Sequence, residues 1–542
     1  MRRSLLTLVA LFSGLAALAQ PAGAPREVTI AGYTLSIDQY LKYLGLPEDD
    51  GFRPSAWGDQ GNGTYINPIL CADYSDPDAI RVGDRYYMVA SDFHFTGMQL
   101  LTSEDLVNWR FVTQIYRRFD YPGWEENMHY GNGSWAPSIR YHDGTFYVFF
   151  CTPKEGLFMT SAPAPEGPWS KLLLVHEGAG WEDPCPFWDE DGQAYLGHSL
   201  VGAGPIILHK MSADGTRLLD EGVEVYRGPV AEGTKIHKWN GRYYMSIPEG
   251  GVGQGNQVIL RSSSLYGPYD KKVVLEKGST RINGPHQGAI VDAPDSSWWF
   301  LHFQQTPVLG RVVHLQPMQW EDDWPVIGVD IDRNGVGEPV YAWEMPANAG
   351  KPCKPASSDT FSGTALSPQW QFNHNPVDEA WSLAEKPGYL TLHALKADAF
   401  VLARNTVTQK LMGYAGTVTA TLDLSAMQEG QRCGVAAMGM MNYVLGIRQE
   451  GGKKVLYMEG PDGKDLLTQP WKGSRAVLGF SYDAREQTFQ FRCSADGKSF
   501  RTIGDPFITL FGNWKGARPA IFTYNTLKDG GRLFVDRFDY VE

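Results

Sequence analysis

The sequence predicts an all-β protein, a five-bladed β-propeller followed by a β-sandwich, and three observations carry that prediction. A strand–turn–strand unit recurs five times with its turns near residues 84, 143, 191, 240 and 296, a spacing of roughly 50 to 60 that matches a propeller blade. Glycine accounts for 60 of 542 residues and aromatics for 13%, as expected of many short strands joined by tight turns. No amphipathic helix of any length stands out except a short one around Ser36 to Leu46.

Taken in order, the chain opens with Met1-Arg2-Arg3, an apolar run from Leu5 to Leu18 and the small-residue site Ala17-Leu18-Ala19. This reads as a signal peptide over residues 1–19 with cleavage near Gln20. The run is too short for a membrane span, and no cysteine follows the cleavage site to carry a lipid. The expectation is an exported protein, periplasmic or extracellular, with no membrane partner after cleavage. Residues 20–60 form a leading extension that the repeat does not explain.

The propeller is expected over residues 61–345. Its first unit is Ser75-Asp76-Pro77-Asp78-Ala79-Ile80-Arg81-Val82-Gly83-Asp84-Arg85-Tyr86-Tyr87. Turns of this kind between aromatic strands are ordinary hairpin chemistry, so one unit alone says little about function. Five in register imply a ring, and in a ring the first strand of every blade runs along the central channel. Gly310 to Asp330 is expected to close that channel. Pro346-Ala347-Asn348-Ala349-Gly350-Lys351-Pro352 has linker composition and places a linker at 346–358. Short alternating segments such as Gly388-Tyr389-Leu390-Thr391-Leu392-His393 then predict an antiparallel sandwich over 359–542.

Three units present an acid at nearly the same place. Asp76 lies seven residues before Gly83, Asp183 nine before Gly192, and Glu232 nine before Gly241. Equivalent positions of different blades converge on the axis, so three carboxyls are expected around one funnel. Phe93, Trp135 and Trp181 lie beside these positions and offer flat apolar faces that suit the C–H faces of a sugar ring.

Such a set fits hydrolysis of a glycosidic bond, which needs an acid to protonate the leaving oxygen and a second carboxylate opposite it. The third carboxyl raises the acid's pKa by like-charge repulsion. Hard-cation binding is the competing use of clustered acids, with His286 within reach of such an ion's water shell, and a non-catalytic sugar-binding propeller is a third reading. The net charge of −13 disfavours nucleic acid and anionic membranes and suits an uncharged oligosaccharide. The six cysteines show no paired spacing and no Cys/His cluster, so they read as structural thiols.

These residues meet a known pattern. Asn67-Pro68-Ile69-Leu70, Asp76-Pro77-Asp78 and Ser103-Glu104-Asp105-Leu106-Val107-Asn108-Trp109 resemble the opening blade of glycoside hydrolase family 43, and Trp135-Ala136-Pro137, Glu232-Gly233 and Gly310-Arg311 match it too. The resemblance runs from about Asn67 to the C-terminus and includes the C-terminal sandwich carried by many of the family's β-xylosidases. It implies an inverting hydrolase with Asp76 as general base, Glu232 as general acid and Asp183 as the carboxylate that orients the acid and tunes its pKa. Inversion leaves room for a water, so the carboxyl carbons of Asp76 and Glu232 are expected roughly 6.5 to 9.5 Å apart. His286 and Arg311 match positions lining the floor of the subsite that holds the cleaved sugar.

Two departures matter. Asp78 stands where many members have serine, which makes it a rival for the base, and Ser138 stands where arabinan-cleaving members usually place an acid. The expected activity is exo-release of β-D-xylose from xylo-oligosaccharides, with α-L-arabinofuranosidase as the alternative. No cofactor is expected for catalysis. Asp359, Asp536 and Asp539, near the two ends of the sandwich segment, are candidate ligands for a structural Ca²⁺.

Overall fold

The computed structural model describes residues 57–125, 128–346 and 350–542, together with the backbone of a hairpin formed by Glu27–Ile30 and Tyr33–Ser36. The expected signal peptide, nearly all of the helix expected at 36–46 and residues 347–349 of the linker lie outside the described residues.

Among the described residues, four four-stranded antiparallel sheets follow one another along the chain. Their first strands are Ser75–Val82, Trp135–His142, Trp181–Trp188 and Lys235–Trp239, and each sheet proceeds outward strand by strand in sequence order. These are propeller blades, with their tight turns where the sequence repeat puts them. The last repeat unit, His286–Asp292 and Trp298–Thr306, belongs to a larger sheet of seven strands. The enlargement comes from the N-terminal segment. Thr64–Leu70 pairs with Gly310–Glu321, and Trp57–Asp59 and Ala342–Glu344 pair in turn with Thr64–Leu70.

Asn67 fastens that join. Its Nδ2 donates to the carbonyls of Leu315 and Val340, each at 2.8 Å, and its Oδ1 accepts from the Leu315 N–H at 2.8 Å. A buried amide with all these bonds made fixes the register of the closing strand, because leaving any of them unmade costs about 1–3 kcal/mol. On the other flank, Arg81 of the first blade forms an ion pair with Asp292 of the seven-stranded sheet.

The first strands share a local irregularity. Register slips between Ser75 and Asp78, Trp135 and Ser138, Glu182 and Cys185, and His286 and Gly288. At each slip one residue takes a positive φ, namely Asp76 (51°), Ala136 (35°), Asp183 (55°) and Gln287 (58°). In the fourth blade the corresponding turn falls on Gly233 (63°), where an added Cβ would lie 2.6 Å from the Pro248 ring. A β-bulge needs one residue in this conformation, and it re-aims the side chains around it. Aspartate tolerates that geometry better than most residues, at a cost of order 1–3 kcal/mol.

The C-terminal half is a sandwich of an eight-stranded and a seven-stranded antiparallel sheet. The eight-stranded sheet ends on a strand of the propeller: Phe95–Thr96 pairs with Gln371–Asn373. The two halves share a continuous core, in which Leu70, Leu101 and Trp109 of the propeller side pack with Phe361, Trp370 and Leu411. The described part of the linker, 350–358, has no regular structure and runs along the first blade, where Gly350 N–H donates to Asp105 at 2.7 Å.

Candidate active site

The bulges aim side chains into a cavity of about 420 Å³ at the mouth of the channel, lined among others by Asp76, Phe93, Trp135, Asp183, Glu232 and Arg311. The three repeat acids therefore meet in space. Asp76 is 6% exposed and doubly held. Its Oδ1 accepts from Arg311 Nη1 and its Oδ2 from Ser91 Oγ, each at 2.6 Å, while Ser91 Oγ accepts from Ala136 N–H at 2.7 Å. Arg311 is itself fixed where Gly310-Arg311 meets the segment before the first blade: Arg311 N–H donates to Asp73 at 3.0 Å and Tyr74 N–H to the Arg311 carbonyl at 2.9 Å. The fixed guanidinium thereby holds the Asp76 carboxylate in one orientation.

Asp183 and Glu232 are placed differently. Asp183 accepts from the Gly233 N–H at 2.7 Å, the residue after Glu232, so its orientation and that of Glu232 are linked. Burial, then the charge of Asp76, pushes Asp183 up to about 6. Burial, then Asp183 and Asp76, pushes Glu232 up to about 8, against the opposing effect of Arg311.

A fourth carboxyl joins them. Glu182, 6% exposed, lines the same cavity, and burial followed by Asp183 and Glu232 pushes it up to about 9. Glu182, Asp183 and Glu232 bring carboxylate oxygens within 4.8 Å of one another, the one such group of potential metal ligands among the described residues. Carboxyls this close do not all ionise together, so the cluster retains a proton near neutral pH. Sequence reasoning passed over Glu182, although Glu182 before Asp183 occupies the same place relative to its bulge as Glu232 before Gly233.

That parity also corrects the expectation for Trp181. Successive strand residues face opposite sides, so with Glu182 turned inward Trp181 turns away. Its ring is stacked between His176 (4.0 Å) and His198 (3.7 Å) and is not part of the cavity wall. His286 lies behind the wall rather than in it. It is fully buried, set edge-on to Phe303, and held by burial down at about 4. Its ring closes against Gly255, where an added Cβ would sit 2.2 Å away.

Asp78 is elsewhere as well. In an unbroken strand it would face the same way as Asp76, but the bulge between them turns it into the wall. There it accepts from Ile139 N–H at 2.8 Å and Arg140 Nη1 at 2.7 Å, and it does not line the cavity. Ser138 accepts from Lys235 Nζ at 2.6 Å and donates to the Pro184 carbonyl at 2.6 Å, bracing the floor under the acids.

Aromatic rings close the rim. Phe93 and Trp135 meet edge-to-face at 6.1 Å, and Trp514, carried on a turn of the sandwich, meets Trp135 at 6.1 Å. Trp514 lies 5.8 Å from the Arg311 guanidinium and remains 46% exposed. Behind it Lys515 donates to the Ser91 carbonyl at 2.8 Å, so the sandwich also supports the strand that holds Asp76.

The three candidate calcium ligands do not come together as one site. Asp359 accepts from Phe361 N–H and Trp370 Nε1, Asp536 faces Arg475 at 3.8 Å, and Asp539 is paired with Arg537.

Comparison with known proteins gives a consistent result. The model of "Glycosyl hydrolases family 43" matches residues 65–325, and that of the "Beta xylosidase C-terminal Concanavalin A-like domain" matches 358–541. A "Putative beta-xylosidase" of Xylanibacter ruminicola is 53% identical over 88% of this chain and 90% of its own. A "Non-reducing end alpha-L-arabinofuranosidase" of Bacteroides ovatus is 30% identical over 77% of this chain and 78% of its own. Among solved structures, the family 43 protein BlXynB of Bacillus licheniformis superposes with a TM-score of 0.76 at 26% identity, covering 88% of this chain and 99% of that one.

Proposed function

This chain belongs to glycoside hydrolase family 43, and from that premise we propose that it releases single β-D-xylose units from the non-reducing ends of xylo-oligosaccharides, with inversion. The observation that carries the exo reading is Trp514. A residue of the sandwich joins Phe93 and Trp135 in lining the cavity that holds the acids, and a wall contributed by the second domain favours a pocket for one terminal sugar over a groove open along its length.

In this reading Asp76, held in place by Arg311, takes a proton from a water as that water attacks the anomeric carbon. Glu232 gives its proton to the glycosidic oxygen as the C–O bond breaks. Asp183 holds Glu232 in place through Gly233 and keeps its proton on by repulsion. The cycle ends with Asp76 protonated and Glu232 ionised, and exchange with solvent restores both. The carboxyl separation expected for Asp76 and Glu232 remains roughly 6.5 to 9.5 Å.

The ring reads as five-bladed, with the seven-stranded sheet as the fifth blade enlarged by the closing N-terminal strand. Its first strand carries the same bulge, at Gln287, as those of the first three blades. The N-terminal Met1-Arg2-Arg3 and apolar run support export, to be checked by sequencing the mature N-terminus after secretion. A start at Met1 would sink that reading.

Proton NMR of xylobiose hydrolysis tests the activity. α-Xylose as the first anomer is the expected result, and β-xylose would overturn inversion. The arabinofuranosidase reading is supported by the Bacteroides ovatus relative. It prevails if β-arabinose is released from an arabinofuranosylated xylo-oligosaccharide while xylobiose is left intact.

A further inference from the structure

A second cavity, of about 390 Å³, lies between propeller and sandwich. It shares the turn Gly512–Gly516 with the active site: Trp514 faces the catalytic pocket, while Asn513, Lys515 and Gly516 face this one. The described groups around and beneath it form a buried charge cluster. Lys515 pairs with Asp73 at 3.2 Å and Lys410 with Asp92 at 3.0 Å, and each of the four is at most 4% exposed.

Arg518, 1% exposed, is the odd member. It donates to Thr408 Oγ1 at 3.1 Å and Gln371 Oε1 at 2.7 Å, and its guanidinium lies 3.8 Å over Phe95. No described carboxylate forms an ion pair with it. Three basic groups thus face two carboxylates, and with all three protonated the cluster holds one positive charge in excess. A buried charge without a counter-charge is costly, and such groups are normally paired. Burial indeed lowers Lys410 to about 7 and Arg518 to about 10, the direction expected of a cluster short of negative charge.

Two unused donors mark where the missing charge belongs. Arg518 Nε and His94 Nε2 are buried and make no hydrogen bond of good geometry among the described residues, Asn373 being the polar side chain beside the His94 ring. Both side chains line the cavity, and His94 is 2% exposed. Its Nδ1 accepts from Gly131 N–H at 3.4 Å, and burial keeps the ring neutral, so the single ring proton resides on Nε2.

We propose that this cavity is a binding site for a monovalent anion, chloride or a small carboxylate, held by Arg518 Nε–H and His94 Nε2–H beside Lys515. Occupancy completes the charge balance of the domain interface and fastens the turn that carries Trp514.

The test uses the full-length protein dialysed into a buffer whose one anion is a bulky sulfonate. Melting temperature is followed on adding sodium chloride, sodium acetate or more sulfonate at matched ionic strength, and crystals soaked in bromide are examined for anomalous scattering. A saturable rise with chloride and a bromide peak between His94 and Arg518 is the expected result for a halide. A rise with acetate alone assigns a carboxylate. Arg518→Gln is expected to abolish the response, and should it not fold, His94→Phe keeps the aromatic contact with Phe95 and is expected to weaken anion affinity at least tenfold. Equal behaviour in all three salts, or bromide scattered over the surface with none in this cavity, overturns the site.

Discussion

Two groups of acids, one in the pocket and one at the domain interface, behave in opposite ways. Glu182, Asp183 and Glu232 in the pocket and Asp73 and Asp92 at the domain interface are all largely removed from water, yet the first three are pushed up and the last two are pushed down. Burial raises every one of them. The difference is the partner: Asp73 faces Lys515 and the N–H groups of Arg311 and Gly516, and Asp92 faces Lys410, whereas the pocket acids face one another. Inside one fold, burial sets the cost of a charge and the neighbour decides whether it is kept.

The sharpest way to break this contrast is at Asp76, the pocket acid that does have a cation. Asp76→Ala is expected to lower kcat roughly 10⁴-fold on xylobiose and on activated aryl xylosides alike, since both need the base. Retained activity on either would return the role to another group. Glu232→Gln is expected to cost roughly 10³-fold on xylobiose and far less on an aryl xyloside whose leaving group needs no proton. Equal losses on the two substrates would remove Glu232 from the acid's role.

At the interface the same kind of change should strike stability instead. Asp73→Asn leaves Lys515 buried without its counter-charge and is expected to cost about 3–5 kcal/mol in denaturant unfolding. Removal of a pocket acid should do the reverse. Glu182 has a folded value of about 9, far above its ordinary 4.5, so the folded state binds the extra proton. Its contribution to stability is fully present below about 4.5 and is lost as pH rises towards 9. Glu182→Gln should therefore flatten the fall of melting temperature between pH 5 and 9; a curve superposable on the parent would refute the shift. The interface acids run the other way, their stabilisation being present above the ordinary value of 3.8 and lost as pH falls below it.

Smaller effects refine the picture. Asp183→Asn removes the first charge acting on Glu232, so with Glu232 as the proposed acid the alkaline limb of kcat/KM is expected near 8 and should move down by about one pH unit in the variant. Trp514→Ala should raise KM by about tenfold and leave kcat nearly unchanged, as expected for loss of apolar contact to a sugar. An unchanged KM would place the sugar out of reach of that ring.

Much of this was legible in the sequence because the repeat is a ruler. Turn spacing located the blade hairpins, and the offset from turn to acid placed Asp76, Asp183 and Glu232 around one cavity. The errors cluster where the ruler slips by one residue. At a bulge the alternation of faces is interrupted, and the sequence does not show on which residue. Unbroken alternation therefore puts Trp181 in the wall, hides Glu182 and leaves Asp78 a rival to Asp76. Trp514 left no trace in sequence, since its place depends on how the sandwich docks, and the seven-stranded sheet depends on a strand returning from the far end of the chain.

The pairing of Phe95–Thr96 with Gln371–Asn373 bears on how such a protein can be inherited or re-engineered. A catalytic half that lends a strand to its neighbour is not a module that recombination can shuffle at the linker. Cutting at residue 350 would strip a sheet of its terminal strand and bare the apolar faces of Leu70, Trp109 and Trp370. Swapping the sandwich between relatives is consequently a change to the pocket rim as much as to the tail, and any graft has to carry the 95–96 segment along with its own C-terminal half.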